Sequence, residues 1–493
     1  MAATKNLPKL NTWAWLWPTL ATVLAAVVRL SFITKSSIWH DEGFSIMLAK
    51  RTVQEIWAGS ARDVHPPLYY ELLHFWMRLF GTSELAIRSL SAFAGVLIIP
   101  IGYLIVRKIA GLRAAILASF VLALAPFLIR YSQEARMYGL LGLFLLLALY
   151  AVTEIAERPK RTWPYVLYTL SIAAGLYTHY FTVLAVLAFW LYFVLLEKPS
   201  TWKIGESIWL SLRWWAANLA AVVLFLPWVP NLLGQLRRGQ GLSWLPPATL
   251  RTLPDTIWQF FSFTDGRALF ALIYWLVPVL VIMAGVFIWM RDKGKQKFAR
   301  LLVLYSFLPI AIGLIVSVKK PIFHERYFAF AAIGIYLILV IALDWLAGKR
   351  TWLFGVLASI LLLIECIGIR NVYYQSNHQM GVVMQSLNQE YRVGDVLVAG
   401  ELYVYFDGSY YNKTDQIISL YTAGMPPNGY GESGLLYNQN VYLNSLTTIP
   451  GGSRVWLIGK TGQHAYYDQI PANWKLLEEK IAGYSELRLY QVQ

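Results

Sequence analysis

The segment Ser37-Ile-Trp-His-Asp-Glu-Gly43 sets two adjacent carboxylates, Asp41 and Glu42, beside an indole and an imidazole, just past the first long apolar run of the chain. A carboxylate partly desolvated at a membrane edge has a raised pKa and can take a proton from an attacking hydroxyl or amine. The structural alternative is that Asp41 caps a helix beginning at Glu42. His65-Pro-Pro-Leu-Tyr69 follows, readable either as a turn into a surface helix or as a ligand-facing imidazole. Arg88 stands near the start of the second apolar run, where an arginine either snorkels to headgroups or holds a phosphate or carboxylate. Tyr131-Ser-Gln-Glu-Ala-Arg-Met-Tyr138 is a dense polar patch whose Glu134 and Arg136 could pair while Tyr131 and Tyr138 anchor an interface. Lys319-Lys-Pro-Ile-Phe-His-Glu-Arg-Tyr327 brings the cations Lys319, Lys320 and Arg326 together with His324 and Glu325, and cations there suggest an anionic ligand such as a lipid-linked phosphate. His179-Tyr180 reads as a polar hairpin tip rather than a ligand.

What must position these groups is a membrane. The 493-residue chain is 57% hydrophobic, 15% aromatic and only 14% charged, with a mean hydropathy of +0.50. That is too little polar surface for a water-soluble globule of this size. Apolar runs at 13–33, 87–106, 112–129, 138–156, 163–178, 181–196, 212–232, 269–290, 301–318, 327–346 and 352–369 predict a polytopic α-helical membrane protein with roughly eleven spans. The fifth and sixth runs form one stretch too long for a single crossing, so the chain is expected to reverse at His179-Tyr180.

The formal net charge of +15 lies in short clusters between apolar runs, which speaks for membrane orientation and against a nucleic-acid partner. With the N-terminus cytoplasmic, the inner loops take Arg107, Lys108 and Arg113; Arg158, Lys160 and Arg161; Lys198 and Lys203; Arg291, Lys293, Lys295, Lys297 and Arg300; and Lys349 and Arg350. The short outer loops keep only Arg130, Arg136, Lys319, Lys320 and Arg326. This asymmetry predicts a multi-pass protein of the inner (cytoplasmic) membrane whose C-terminal domain is extracytoplasmic. Every polar patch named above then falls on the outer side. The short basic segment Met1 to Asn11 is followed by no small-residue cleavage site, so the first run reads as an uncleaved helix. The single cysteine, Cys366, excludes an intrachain disulfide.

Two regions divide the chain: a transmembrane domain over 1–370, with amphipathic outer loops at about 34–86 and 233–267, and an extracytoplasmic α/β domain over 371–493. In the first loop Thr52-Val-Gln-Glu55 matches a capping box, Pro66 suits a first helical turn, Leu68, Leu72, Phe75 and Leu79 recur at helical spacing, and Gly81 can end that helix. Gly239, Gly241, Pro246 and Pro247 make the second loop read as mobile. In the C-terminal domain 395–399, 416–420, 454–458 and 486–492 read as strands and 378–391 as a helix. Asn412-Lys-Thr414 is a short match to a glycosylation acceptor. The absence of a P-loop, a Gly-rich dinucleotide fingerprint and paired metal-binding cysteines argues against soluble nucleotide cofactors.

In order and loop position, Asp41-Glu42, His65-Pro-Pro, Arg88 and Tyr131-Ser-Gln-Glu-Ala-Arg-Met-Tyr138 resemble the polyprenyl-phosphate-sugar-dependent glycosyltransferases of the GT-C superfamily. The resemblance is to the bacterial branch related to dolichyl-phosphate-mannose protein mannosyltransferases and aminoarabinose transferases, and it covers about residues 13–370. It implies the GT-C fold, a sugar donor on undecaprenyl phosphate or a related lipid, and transfer at the outer face. It also implies Asp41 as the catalytic carboxylate, Glu42 as its acidic neighbour and Arg88 as an arginine of the active centre. Two departures stand out: Leu68-Tyr69 replaces the Gly-Lys that usually follows His-Pro-Pro, and no β-trefoil repeats are recognisable, which turns the acceptor from a protein towards a glycan or lipid.

The leaving polyprenyl phosphate is already a stable anion, so the reaction needs a base and phosphate-binding cations rather than a strong acid. The expectation is a single inverting displacement with Asp41 as base, and with Arg88, Arg136, Lys319, Lys320 and Arg326 as candidates for the phosphate. A divalent cation, Mg²⁺ or Mn²⁺, held by His40, Asp41, Glu42 or His324 stays open as an addition. The rival from another class is a polytopic transporter or flippase for a lipid-linked or anionic solute; its signature would be ionisable groups near the midplane and a repeated half.

Overall fold

The computed structural model describes residues 13–196, 207–238, 244–294, 296–374, 378–424, 435–436, 440–462 and 469–493. Met1 to Asn11, Lys198, Lys203, Gly239, Gly241 and Lys295, used above, lie outside the described residues. The membrane part runs through α1 (Trp13–Leu30), α2 (His40–Ala49), α3 (Val53–Arg62), α4 (Leu68–Phe80), α5 (Glu84–Ala110), α6 (Leu112–Leu124), α7 (Pro126–Ser132), α8 (Tyr138–Glu157) and α9 (Trp163–Thr178). It continues through α10 (Thr182–Leu195), α11 (Leu212–Phe225), α12 (Val229–Arg238), α13 (Thr252–Ser262), α14 (Ala271–Arg291), α15 (Phe298–Ser317), α16 (Ala329–Ala347) and α17 (Thr351–Tyr374).

Each apolar run is helical, and the chain reverses at His179-Tyr180 between α9 and α10 as its length requires. Among the described residues, seven helices are long and apolar enough to cross a membrane, or eight if the bent pair of α6 and α7 is one span. Length and composition of the described residues thus confirm seven or eight of the roughly eleven expected spans; α1, α9 and α10 are the shorter helices that make up the difference. α8 and α16 are the most enclosed of the long helices, while α11, α14 and α17 turn most of their surface outward.

The bend between α6 and α7 is 52° and starts at Pro126, which has no N–H to offer the carbonyl of Leu122 four residues back. Arg29, fully buried on α1, supplies the missing donors: its guanidinium donates to the carbonyls of Leu122 at 3.0 Å and Ala123 at 2.9 Å. Inside a bilayer an unpaired carbonyl has no water to turn to, so a side-chain donor makes the break tolerable.

Between α1 and α5 lie the three short helices at one end of the bundle. α3 starts at the expected capping box: Thr52 N–H donates to Glu55 at 2.9 Å and its hydroxyl accepts from Glu55 N–H. α4 ends at Gly81, whose φ of 88° favours glycine. Its expected stripe is not the buried one: Phe75 and Leu79 are exposed, whereas Tyr69, Tyr70, Leu73 and Met77 pack inward. An apolar outer face next to a buried one suits a helix lying along a membrane surface. Of the second loop, the described residues include two helices. α12 extends the preceding span to Arg238, and α13 occupies Thr252–Ser262.

α17 continues past Arg370 to Tyr374, and the C-terminal α/β domain follows with α18 (Met380–Glu390), β1 (Val396–Ala399), α19 (Leu402–Tyr411), β2 (Ser419–Tyr421), β3 (Tyr442–Leu443), β4 (Arg454–Lys460), β5 (Trp474–Ala482) and β6 (Ser485–Val492). The sheet order is β3-β2-β1-β4-β6-β5. β1 pairs in parallel with β2 and β4, and β6 runs antiparallel to β4 and β5. The strand expected at 416–420 begins only at Ser419, because Asn412, Thr414 and Gln416 are tied into a turn by side-chain bonds. The domain rests on the bundle end that carries α2: α19 packs on α2, and the Tyr410 hydroxyl donates to the carbonyl of Thr82 at 3.0 Å.

Candidate active site

α2 begins at His40 with an extended Trp39 before it, so Asp41 sits inside the first turn and does not cap the helix. The local brace is Glu42: its Oε2 accepts from Trp39 N–H at 3.4 Å. Its main partner, however, is remote. Arg88 on α5 makes a two-bond pair with Glu42, Nε to Oε1 at 2.7 Å and Nη2 to Oε2 at 2.6 Å. Oε1 also accepts from Ala135 N–H at 2.7 Å. Arg88 spends its remaining donors on the carbonyls of Ile33, Ser36 and Ser37. The buried Glu42–Arg88 pair thus pins the first-loop backbone to α5 and to the segment before α8. A planar guanidinium is suited to such a fork and a lysine is not.

With Glu42 so engaged, Asp41 is the carboxylate left to face the site. Arg326 Nη1 approaches its Oδ2 at 2.9 Å and Arg136 Nε at 3.8 Å. Arg136 also donates to the Asp41 carbonyl and to the Ser45 hydroxyl, both at 3.2 Å. Burial on its own would raise the Asp41 pKa; the guanidiniums of Arg326 and Arg136 outweigh it and hold the carboxyl well below the usual range. The raised basicity expected from desolvation is therefore reversed in this state, because burial came with two cations. The sequence pairing of Glu134 with Arg136 is not formed either. Glu134 pairs with Arg130 at 2.8 Å, and its pKa is raised by burial, with Arg130 opposing.

Arg326 occupies an aromatic cage. Its guanidinium carbon lies 5.7 Å from the ring centres of Trp39, Tyr138 and Trp244 and 5.8 Å from that of Tyr327. Around it, several buried donors make no hydrogen bond: Nε of Arg136, Nε of Arg326, the indole N–H of Trp39 and the hydroxyl of Tyr138. Buried donors without acceptors are costly unless ordered water or a ligand completes them.

His65 and His179 complete one wall, with ring centres 5.8 Å apart, and Tyr327 is 5.1 Å from His179. Burial first, then the neighbouring His65, Arg136 and Arg326, lower the His179 pKa well below its ordinary value, so the ring is neutral at pH 7. His179 is thus part of the site's lining as well as a hairpin tip. Asp63, which the motif reading passed over, accepts from His65 N–H at 3.3 Å and lies 3.2 Å from its Nδ1. The only signal for it was its place two residues before His65, a common spacing for an Asp turn.

The remaining candidates divide. Tyr180 bonds to Gln235 and accepts from the indole of Trp228 at 2.8 Å. His324 pairs with Glu325 at 3.0 Å and packs on Trp244. Lys319 and Lys320 are exposed beyond the end of α15, and none of the ion pairs that build the site includes them. Among the described residues no group of three or more His, Cys, Asp or Glu gathers as a metal would need. The donor set does not fit a divalent cation: Glu42 is committed to Arg88 and Ala135, and Asp41 faces two guanidiniums.

The Dolichyl-phosphate-mannose-protein mannosyltransferase family model matches residues 64–230. A putative mannosyltransferase, YkcB, of Bacillus subtilis is 29% identical over 181 residues, which is 37% of this chain and 25% of the relative. The chain spans about a quarter of the length of the curated relatives it matches. Among solved structures, ArnT from Cupriavidus metallidurans superimposes over 97% of this chain and 98% of its own, with a TM-score of 0.62 and 13% identity for the apo state. The form bound to undecaprenyl phosphate gives 0.58 and 12%. The Archaeoglobus fulgidus oligosaccharyltransferase, in complex with Zn and sulfate, matches 92% of this chain and 69% of its own, with a TM-score of 0.52 and 12% identity. The chain shares its fold with the ArnT structures: a domain of apolar helices comes first and a small C-terminal sheet domain follows.

Proposed function

We propose that this chain is an integral-membrane glycosyltransferase that moves a sugar from a polyprenyl-phosphate donor to a cell-envelope glycan or lipid acceptor, at the outer face of the cytoplasmic membrane. The observation that carries the reading is the set of unpaired buried donors on Trp39, Arg136, Tyr138 and Arg326 around Asp41. A phosphate oxygen satisfies them with charge-assisted bonds, which are stronger than those a neutral acceptor makes. ArnT, which shares the fold, has been crystallised with undecaprenyl phosphate. An apolar groove of about 420 Å³ between α13, α14 and α15, lined by Leu253, Ile257, Gly285, Phe307 and Leu314 among others, has the apolar lining that a polyprenyl chain requires.

The chemistry follows from the charges. When phosphate oxygens approach Arg326 and Arg136, they compete for the guanidiniums that hold Asp41 in its low-pKa state. Asp41 then becomes a better base where the acceptor must lose a proton. The acceptor oxygen or nitrogen attacks the anomeric carbon, its proton passes to Asp41, the carbon–oxygen bond to phosphate breaks, and the bonding pair leaves on the phosphate. The arginines meet the developing charge. Glu42, locked to Arg88, is not free to form a covalent intermediate, which favours a single inverting step.

The test is Asp41→Asn assayed on purified protein with radiolabelled undecaprenyl-phosphate hexoses and pentoses and a cell-envelope extract as acceptor, scored by release of undecaprenyl phosphate. We expect a loss of about 10²- to 10⁴-fold. Turnover close to wild type would remove Asp41 as the base. The transport reading has one observation of its own, the buried and unpartnered carboxyl of Glu365 in α17. Solute uptake by proteoliposomes, abolished in Glu365→Gln and accompanied by no donor cleavage, would favour it.

A further inference from the structure

The first-loop backbone that carries Asp41 is held from the C-terminal domain as well as from α5. Ile38 N–H donates to the Tyr411 hydroxyl at 2.7 Å. That hydroxyl in turn donates to Glu84, and the Glu84 carboxylate lies 3.9 Å from Arg88, the partner of Glu42. One residue earlier, Ser37 N–H donates to the carbonyl of His378 at 2.9 Å, and the Ser37 hydroxyl accepts from Gly381 N–H at 3.0 Å. One residue later, Trp39 stacks on His378 with ring centres 6.1 Å apart. Three consecutive residues before the catalytic turn are thus fastened to the segment 378–411, and the His40 ring rests on Tyr403 and Phe406 of α19.

We propose that Tyr411 of the C-terminal domain is a positioning residue of the transfer site, its hydroxyl joining the Ile38 amide to Glu84 and so fixing the turn that aims Asp41 at Arg326. The inference rests on the reading of the Asp41 and Arg326 cluster as the phosphate end of the donor site. A single hydroxyl here ties α19, the first loop and α5 into one unit, so the domain sets the geometry of the site without touching the substrate. The loop's own sequence could not hold that geometry. Trp39 is extended, and the amides of Ser37 and Ile38 are satisfied from 378–411. In a site whose work is placement of charge, a shift of this turn is felt directly in ligand affinity.

The experiment uses full-length protein in nanodiscs with undecaprenyl phosphate as the probe, because that lipid is the product whatever the sugar. In Tyr411→Phe we expect amide exchange over 37–44 to be about tenfold faster, with α8 and α16 unchanged. Undecaprenyl phosphate binding should weaken about tenfold. A local change with global unfolding unaltered is what separates positioning from mere stability. Exchange over 37–44 at the wild-type rate overturns the proposal, and so does faster exchange with unchanged lipid affinity. If Tyr411→Phe does not fold, Glu84→Gln, which weakens the acceptor and keeps its shape, carries the same expectations. Arg326→Ala run alongside keeps the two readings apart. If it leaves lipid affinity intact, the phosphate site is wrong, while the exchange result still decides the brace.

Discussion

Asp41 and Glu42 are neighbours with opposite circumstances. Glu42 has two guanidinium bonds and a backbone amide; Asp41 has one close guanidinium, a second at 3.8 Å, and donors around it that await an acceptor. Arg326 is the pivot, because it touches the carboxylate and sits inside the aromatic cage. We expect Arg326→Ala to lower turnover about 100-fold, the usual effect of removing one preorganised charge donor, and Arg326→Lys to recover little, since a point charge cannot fill the planar slot. The pH profile gives the sign. In wild type the cations hold the Asp41 carboxyl depressed, so the acid limb of free-enzyme turnover lies below the ordinary carboxyl value of about 3.9. Removing Arg326, the stronger of the two cations, leaves burial to push the other way, and the limb should move up in pH. An acid limb that stays in place in Arg326→Ala would mean that Asp41 is not the group titrating. At this scale the sequence yielded types but not pairings. Asp41, Arg136 and Arg326 could be singled out as ionisable groups on one side of a membrane, yet nothing local tells that residue 326 meets residue 41. Lys319 and Lys320 carry the same signal as Arg326 and miss the site because the chain turns between them. Asp63 and Tyr411 carry no unusual signal at all.

At the scale of elements, backbone proximity does what motifs do not record. α2 and α19 meet at Gly43, where an added Cβ would lie 2.8 Å from the backbone carbon of Phe406. The helices can approach that closely only over a residue with no side chain. Gly43→Ala is therefore expected to push α19 away and to cost about 1–3 kcal/mol, as overpacking does. The thermal unfolding temperature of the detergent-solubilised protein should fall, and lipid affinity should fall with it. An unchanged temperature would mean that the contact is slack. Long apolar helices were legible from hydropathy, and so were the capping box at Thr52 and the stop at Gly81. β5 was not. Trp474–Ala482 is rich in Leu, Glu and Lys, residues that favour helix, and it becomes a strand because β6 offers it an edge to pair with. Its charges, Lys475, Glu478, Glu479 and Lys480, keep that outer edge from recruiting another chain.

For the molecule as a whole, the side of the membrane that the site faces decides which donors can reach it. The C-terminal domain and α2 to α4 share one end of the bundle. Elsewhere Lys108 pairs with Glu154 and Glu157, and Arg113 pairs with Asp344, residues that the positive-inside pattern puts on the cytoplasmic face. If that pattern governs insertion, the site opens outward, where a lipid-linked sugar is the donor at hand and soluble sugar nucleotides are absent. The single cysteine makes the point testable with little disturbance. Cys366 is exposed on α17, so Cys366→Ser gives a cysteine-free background. In that background Val393→Cys, on a residue 92% exposed in the C-terminal domain, should react with a membrane-impermeant maleimide applied to spheroplasts. Arg161→Cys, exposed between α8 and α9, should react only after the membrane is opened. The reverse pattern would turn Asp41 and its arginines toward the cytoplasm. The case for a polyprenyl-phosphate donor would then lose its physical basis, because the same cluster of cations would face a compartment full of soluble nucleotide sugars and phosphates.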